Sequence, residues 1–203
     1  CYAVSKDGGM TWQRSDGTRY NLPIVMKDAE IAWHIPQNSE LINQTSMTAD
    51  KKGRPYIATY WRDKNDSIPQ YRLVWHDGKK WNMSVVGNRK TPFSLSGGGT
   101  KMIPISRPRI ASDGKAAYYI FRDSERGSKI SVAHTSKLGK APWRIEDVTD
   151  FSVDAWEPTF DINAWNKRNK LNIFVQEVHQ GDGERLSDNA AFSTPVSILS
   201  LED

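Results

Sequence analysis

Two side chains with complementary chemistry sit on neighbouring alternating segments. Tyr60 lies near the end of residues 55–61 and Arg72 near the start of residues 71–75. An antiparallel pairing of these segments sets the phenol and the guanidinium facing each other. A tyrosine can remove or return a proton. An arginine can neutralise a carboxylate and so make the proton on the adjacent carbon removable. Tyr56, on the same face, is an alternative partner for Arg72; the plainer roles are a packed tyrosine and a surface arginine. Arg107 and Arg109 flank Pro108, and alternate residues of an extended segment point the same way. A guanidinium fork suits a carboxylate or a sulfate, whereas the plainer role is an ion pair with Asp113 or Asp123. Asn43 and Gln44 offer amides to hydroxyls or to a carboxylate. Glu157 can assist a nucleophilic tyrosine. Trp61 can stack on a sugar ring, with core packing the plainer role. His34, in the long 27–40 connection, is the candidate acid or base. His76, His134 and His179 are scattered without metal-ligand spacing, so neither a metal nor a cofactor is expected.

A repeated element positions these residues. Ser5-Lys6-Asp7-Gly8-Gly9-Met10-Thr11-Trp12 fits S-x-D-x-G-x-T-W at every fixed position. Such a stretch predicts a hairpin: Asp7 accepts from turn amides, Gly9 supplies a positive φ, and Trp12 opens the return strand and covers the turn. Degenerate copies are Trp75-His76-Asp77-Gly78-Lys79-Lys80-Trp81 and residues 134–143, which end on Trp143. Alternating segments separated by turns at 50–53, 112–115 and 166–169 recur in the same order from unit to unit. The spacing predicts four-stranded units over 41–87 and 106–149, a unit over 157–203 lacking its last strand, and a half unit over 1–20. No long amphipathic helix is expected.

The residue 5–12 hairpin is an Asp-box, or BNR repeat. The chain resembles the Asp-box β-propellers, which include sialidases and several polysaccharide lyases. The closer likeness is to the BNR-4 type domains of bacterial polysaccharide-degrading proteins, including ulvan-lyase-type enzymes, a group often labelled neuraminidase on the box alone. The likeness rests on the Asp-box and on residues 43–47, 54–62, 70–81 and 106–110. It implies an all-β propeller, seven-bladed when complete, with about three and a half blades here. The remaining blades would come from an N-terminal half or a second copy. Tyr60 and Arg72 resemble the tyrosine and arginine that ulvan-lyase-type enzymes use on a uronate. Arg107 and Arg109 resemble part of the arginine cluster with which sialidases hold a carboxylate. The box itself (Ser5, Asp7, Gly9, Thr11, Trp12) is structural and belongs on the rim. The implied function is cleavage of an acidic polysaccharide by β-elimination. The alternatives are a sialidase-like glycosidase and a non-catalytic glycan-binding propeller. The implied setting is secreted, periplasmic or cell-surface, in a bacterium.

Composition narrows the partners. The net charge is +4, and the 28 basic residues are spread along the chain with no block of five, which argues against a nucleic-acid footprint. No apolar stretch is long enough to span a membrane. The single cysteine, Cys1, allows no internal disulfide and is expected in a buried strand. The glycine run at 97–99 reads as a blade-to-blade loop rather than a phosphate cradle, because no Gly-Lys-Ser/Thr follows.

Overall fold

The computed structural model describes residues 1–41, 46–97, 101–181 and 193–201. These residues form three antiparallel meanders. Strands β1 (Ser46–Ala49), β2 (Pro55–Trp61), β3 (Gln70–His76) and β4 (Trp81–Val85) lie side by side in sequence order. Strands β5 (Arg109–Ser112), β6 (Ala117–Asp123), β7 (Lys129–Thr135) and β8 (Arg144–Asp147) repeat the arrangement. The third sheet contains β9 (Thr159–Phe160), β10 (Leu171–Val175) and β11 (Ser197–Leu201), in the order β11-β10-β9. The chain is therefore all-β in character.

Alternation decides which faces meet. Tyr56, Ala58, Tyr60, Tyr71, Leu73 and Trp75 of the first sheet pack on Ala117, Tyr119, Phe121 and Ala133 of the second. The opposite face of the second sheet, with Ile120, Ile130 and Val132, packs on Leu171, Ile173 and Val175 of the third. Each fully buried large side chain contributes about 1.5–3 kcal/mol. Buried phenols also tie the first two sheets together. The Tyr119 hydroxyl donates to the Thr59 carbonyl at 2.6 Å, and the Tyr71 hydroxyl to the Arg122 carbonyl at 2.8 Å. A buried hydroxyl needs such a partner, so these bonds fix the spacing of the sheets.

The turns show why aspartate recurs. In the Asp-box, Asp7 Oδ1 accepts from the Thr11 amide at 2.9 Å and Oδ2 from the Thr11 hydroxyl at 2.6 Å. Ser5 Oγ accepts from the Gly9 amide at 2.7 Å, and Gly9 adopts φ 94°. Asp77 and Asp113 each cap their own turn through two backbone amides. Asp50 also takes two amides, with the Arg54 guanidinium and the Tyr56 hydroxyl on its second oxygen.

Three expectations change. Residues 1–20 form a hairpin held by isolated bridges (Val4 to Gln13 and Gln13 to Arg19) rather than two strands. The turn expected at 166–169 is the end of a helix, α1 (Ile162–Arg168). Asp161 caps it by accepting from the amides of Asn163 and Ala164, Ala164 and Trp165 are buried beneath it, and Asn169 ends it at φ 53°. Cys1 is exposed rather than buried in a strand.

Candidate functional site

A cavity of about 310 Å³ opens where the ends of β2 and β6 meet the segments leading into β5 and β9. Tyr60, Arg107, Arg122 and Glu157 line it, as do Lys101 and Gln180. The repeat explains how these four come together. The pairs Tyr56–Trp75 and Tyr118–His134 hold matching places in the first two sheets, which makes Tyr60 and Arg122 equivalent positions four residues on. Arg107 and Glu157 each precede a proline and stand three residues before a strand partner of β6 or β10 (Ile110 opposite Tyr119, Phe160 opposite Ile173). Proline holds the preceding residue extended, so both side chains leave the backbone at the same place in their units.

The charges are arranged with some economy. Glu157 Oε2 accepts from the Arg107 amide at 2.8 Å and from its Nε at 3.2 Å. This pairing replaces the Asp113 or Asp123 partner expected for Arg107; Asp123 is instead taken by the buried Arg89. Arg122 is 4% exposed. Its Nε donates to the Trp156 carbonyl, and its Nη2 to the carbonyls of Ile103 and Ile105, each at 3.2 Å. Among the described residues no carboxylate pairs with it. Carbonyl dipoles orient the guanidinium without neutralising it, and a buried cation in that state favours an anion beside it. Tyr60 is 2% exposed, and burial pushes its phenol well above the usual tyrosine range, with the Glu157 carboxylate adding to the rise and Arg107 opposing it. The phenol is thus held neutral, as a proton donor.

Several predicted residues lie elsewhere. Arg72 does not face Tyr60. The register sets Thr59 opposite Arg72 and Tyr71 opposite Tyr60, so the phenol and the guanidinium emerge on opposite faces of the sheet. Arg72 is buried, bonded to Asp63 Oδ2 at 2.7 Å and laid over the Trp61 ring at 4.6 Å. That contact also covers Trp61, which is 1% exposed and offers no free face to a sugar. Tyr56 sits at the opposite end of β2, where its hydroxyl donates to Asp50 at 3.1 Å and burial raises its pKa to about 12. Arg109 is exposed on β5 and does not line the cavity; only Arg107 of the pair does. His34 is exposed and also outside the lining. Asn43 and Gln44 lie outside the described residues. His179 is held by Asp154 at 2.8 Å. Among the described residues no group of three His, Cys, Asp or Glu could hold a metal ion.

Arg122 and Lys101 were not legible as site residues. Arg122 is the penultimate residue of β6, after a run that reads as core and before Asp123. The one available signal was the register equivalence with Tyr60, and this needs both sheets aligned.

The fold and the cavity define an all-β, repeat-built chain with a cationic pocket at the strand ends. Residues 1–89 match the model of the BNR repeat-containing family, a stretch that holds the Asp-box hairpin and the whole first sheet. No curated protein matches the chain.

Proposed function

We propose that the three meanders are blades of an Asp-box β-propeller and that the Tyr60 cavity is its glycan site. The cavity would take the acidic group of a polysaccharide, with Arg122 and Arg107 on the carboxylate. The observation that carries this is the buried Arg122 guanidinium in the cavity wall, whose partners among the described residues are carbonyls. Cleavage then proceeds by β-elimination from a uronate. Neutralising the carboxylate lowers the cost of removing the proton next to it. The Glu157 carboxylate, in the same cavity, takes that proton, and Tyr60, kept neutral by burial, gives one to the departing oxygen. The partner is an acidic polysaccharide or oligosaccharide met outside the cytoplasm, in a secreted, periplasmic or cell-surface setting.

One observation favours a second reading. Glu157 lines the same cavity as Tyr60, and a tyrosine assisted by a glutamate is the nucleophile of a sialidase-like glycosidase. Incubation with a panel of uronate polysaccharides, followed by ultraviolet absorbance, separates the two. A rise marks the unsaturated product of elimination. A flat trace with release of a free sugar acid from a sialoside supports the hydrolase. Neither product, together with saturable binding of an acidic glycan, leaves a binding propeller.

A further inference from the structure

A second recess lies toward the other end of the strands from the Tyr60 cavity. It is an open groove of about 600 Å³ between the β3–β4 turn, the β7–β8 turn and the 27–40 connection. Trp33, Trp75, Trp81 and Trp143 line it, with Lys80 and Lys140. Trp75 pairs with Tyr56, and Tyr60 stands four residues further along β2, a separation of about 13 Å. The groove and the cavity share no lining residue.

The aromatic lining is held in place. The Trp81 indole donates to Glu30 Oε1 at 2.7 Å, and its ring meets Tyr2 and His76 edge-on at 5.1 and 5.2 Å. The Trp143 indole donates to Ser84 Oγ at 3.2 Å. With both N–H groups engaged, these two indoles offer the groove ring surface and no donor. Trp33 is 37% exposed. Gly139 lies so close to Trp75 that a Cβ there would come within 3.1 Å of the ring, so this side of the groove admits no side chain. The charge is of one sign. Lys80 and Lys140 are exposed on their turns, and among the described residues neither makes an ion pair. No Asp or Glu is part of the lining. The neighbouring carboxylates are engaged, Glu30 by Trp81 and Ser15 and Asp77 by the amides of Lys79 and Lys80. A ligand here meets fixed apolar rings and two cations, and rings already fixed lower the cost of ordering on binding.

We infer that this groove is a second, non-catalytic binding site for an acidic saccharide, with sugar rings on the indoles and a carboxylate or sulfate at Lys80 and Lys140. The preference for a ring-bearing anion follows from the lining. The choice of a saccharide over an acidic peptide rests on the glycan reading of the Tyr60 cavity. A polymer held at both places stays on the protein between successive cleavages, because the second contact is made within the complex.

The test titrates two acidic probes, tetragalacturonate and a heparin-derived tetrasaccharide, into the isotope-labelled protein and reads the side-chain indole signals by NMR. The expected result is saturable shifts at Trp33, Trp81 and Trp143 with an acidic probe and none with the neutral methyl ester of tetragalacturonate. Lys80→Gln combined with Lys140→Gln, both at exposed side chains, should weaken binding by about tenfold, as should Trp33→Ala. The indole shifts should persist in Arg122→Lys, which alters the cavity alone. Shifts confined to residues around Tyr60, with the indoles still, overturn the groove and leave the cavity reading standing. Shifts at the indoles alone support the groove and count against the cavity. No indole shift with either acidic probe overturns the inference, as do indole shifts indifferent to the lysine and Trp33 substitutions. Equal indole shifts from a hexaglutamate peptide overturn the saccharide assignment.

Discussion

The backbone amide and the guanidinium of Arg107 converge on one oxygen of Glu157, at 2.8 and 3.2 Å. The segments that lead into β5 and β9 are thereby joined beside the cavity, and the carboxylate lines it together with Tyr60. Because both side chains are partly exposed, the pair stabilises the fold little, by less than about 1 kcal/mol. Its value lies in placement. Glu157→Gln should therefore leave the melting temperature nearly unchanged while lowering turnover by about a hundredfold. A large loss of stability with unaltered specific activity would mark the pair as structural.

Tyr60 has an aromatic environment of Tyr71 and Phe93, at 6.3 and 6.2 Å, which a phenylalanine would keep. Tyr60→Phe should fold normally and lose proton transfer, with turnover down by about 10² to 10⁴. Retained turnover would remove Tyr60 from the mechanism.

Arg122 is read as a binding group, so its loss should depend on the charge of the ligand. Arg122→Lys keeps a cation but loses the planar fork, and it should raise KM for an acidic oligosaccharide by about tenfold or more. Binding of a neutral oligosaccharide should not respond. Equal weakening of both would show that the substitution has only disturbed the wall.

Arg72, by contrast, is expected to act on stability. Its guanidinium covers Trp61 and meets Asp63, and it is not part of the cavity lining. Arg72→Ala should cost about 1–3 kcal/mol in a denaturant melt while the folded fraction keeps its specific activity. Selective loss of turnover would restore it to the site.

The turn aspartates predict acid sensitivity. Hydrogen bonds from Thr11 and Ser5 hold Asp7, and amides of Lys80 and Lys79 hold Asp77, each near a pKa of about 2 against the usual 3.8. A depressed folded-state pKa means that the unfolded chain binds more protons in this range. The stabilisation is then complete above about pH 4 and disappears as the pH falls toward 2. Thermal melts between pH 5 and 2 should show this loss, and Asp7→Asn should flatten part of it. An unchanged slope in that variant would mean that the Asp7 bonds are not formed in solution.

Much of the scaffold was readable from local chemistry. The Asp-box hairpin, the aspartate turns and the order of strands follow from turn residues and from period-two alternation, both of which act over a few residues. The α1 helix was missed because its signal is equally short: one aspartate cap and seven residues, with burial of Trp165 supplying the stability that propensity does not.

The site divides along the same line. Sequence alone pointed to Tyr60, Arg107 and Glu157 as candidates, because they stand at the start of a first strand or the end of a second, and the structure brings the three to one cavity. It could not choose the face of Arg72, because a shift of one residue in register moves a side chain to the other side of a sheet. Only the packed sheets show that Thr59, not Tyr60, lies opposite Arg72. Nor could the chain by itself reveal that Arg122 is buried among carbonyls from residues 103, 105 and 156. Composition and spacing determine which strands form; desolvation and long-range packing decide which charges are left to meet a ligand.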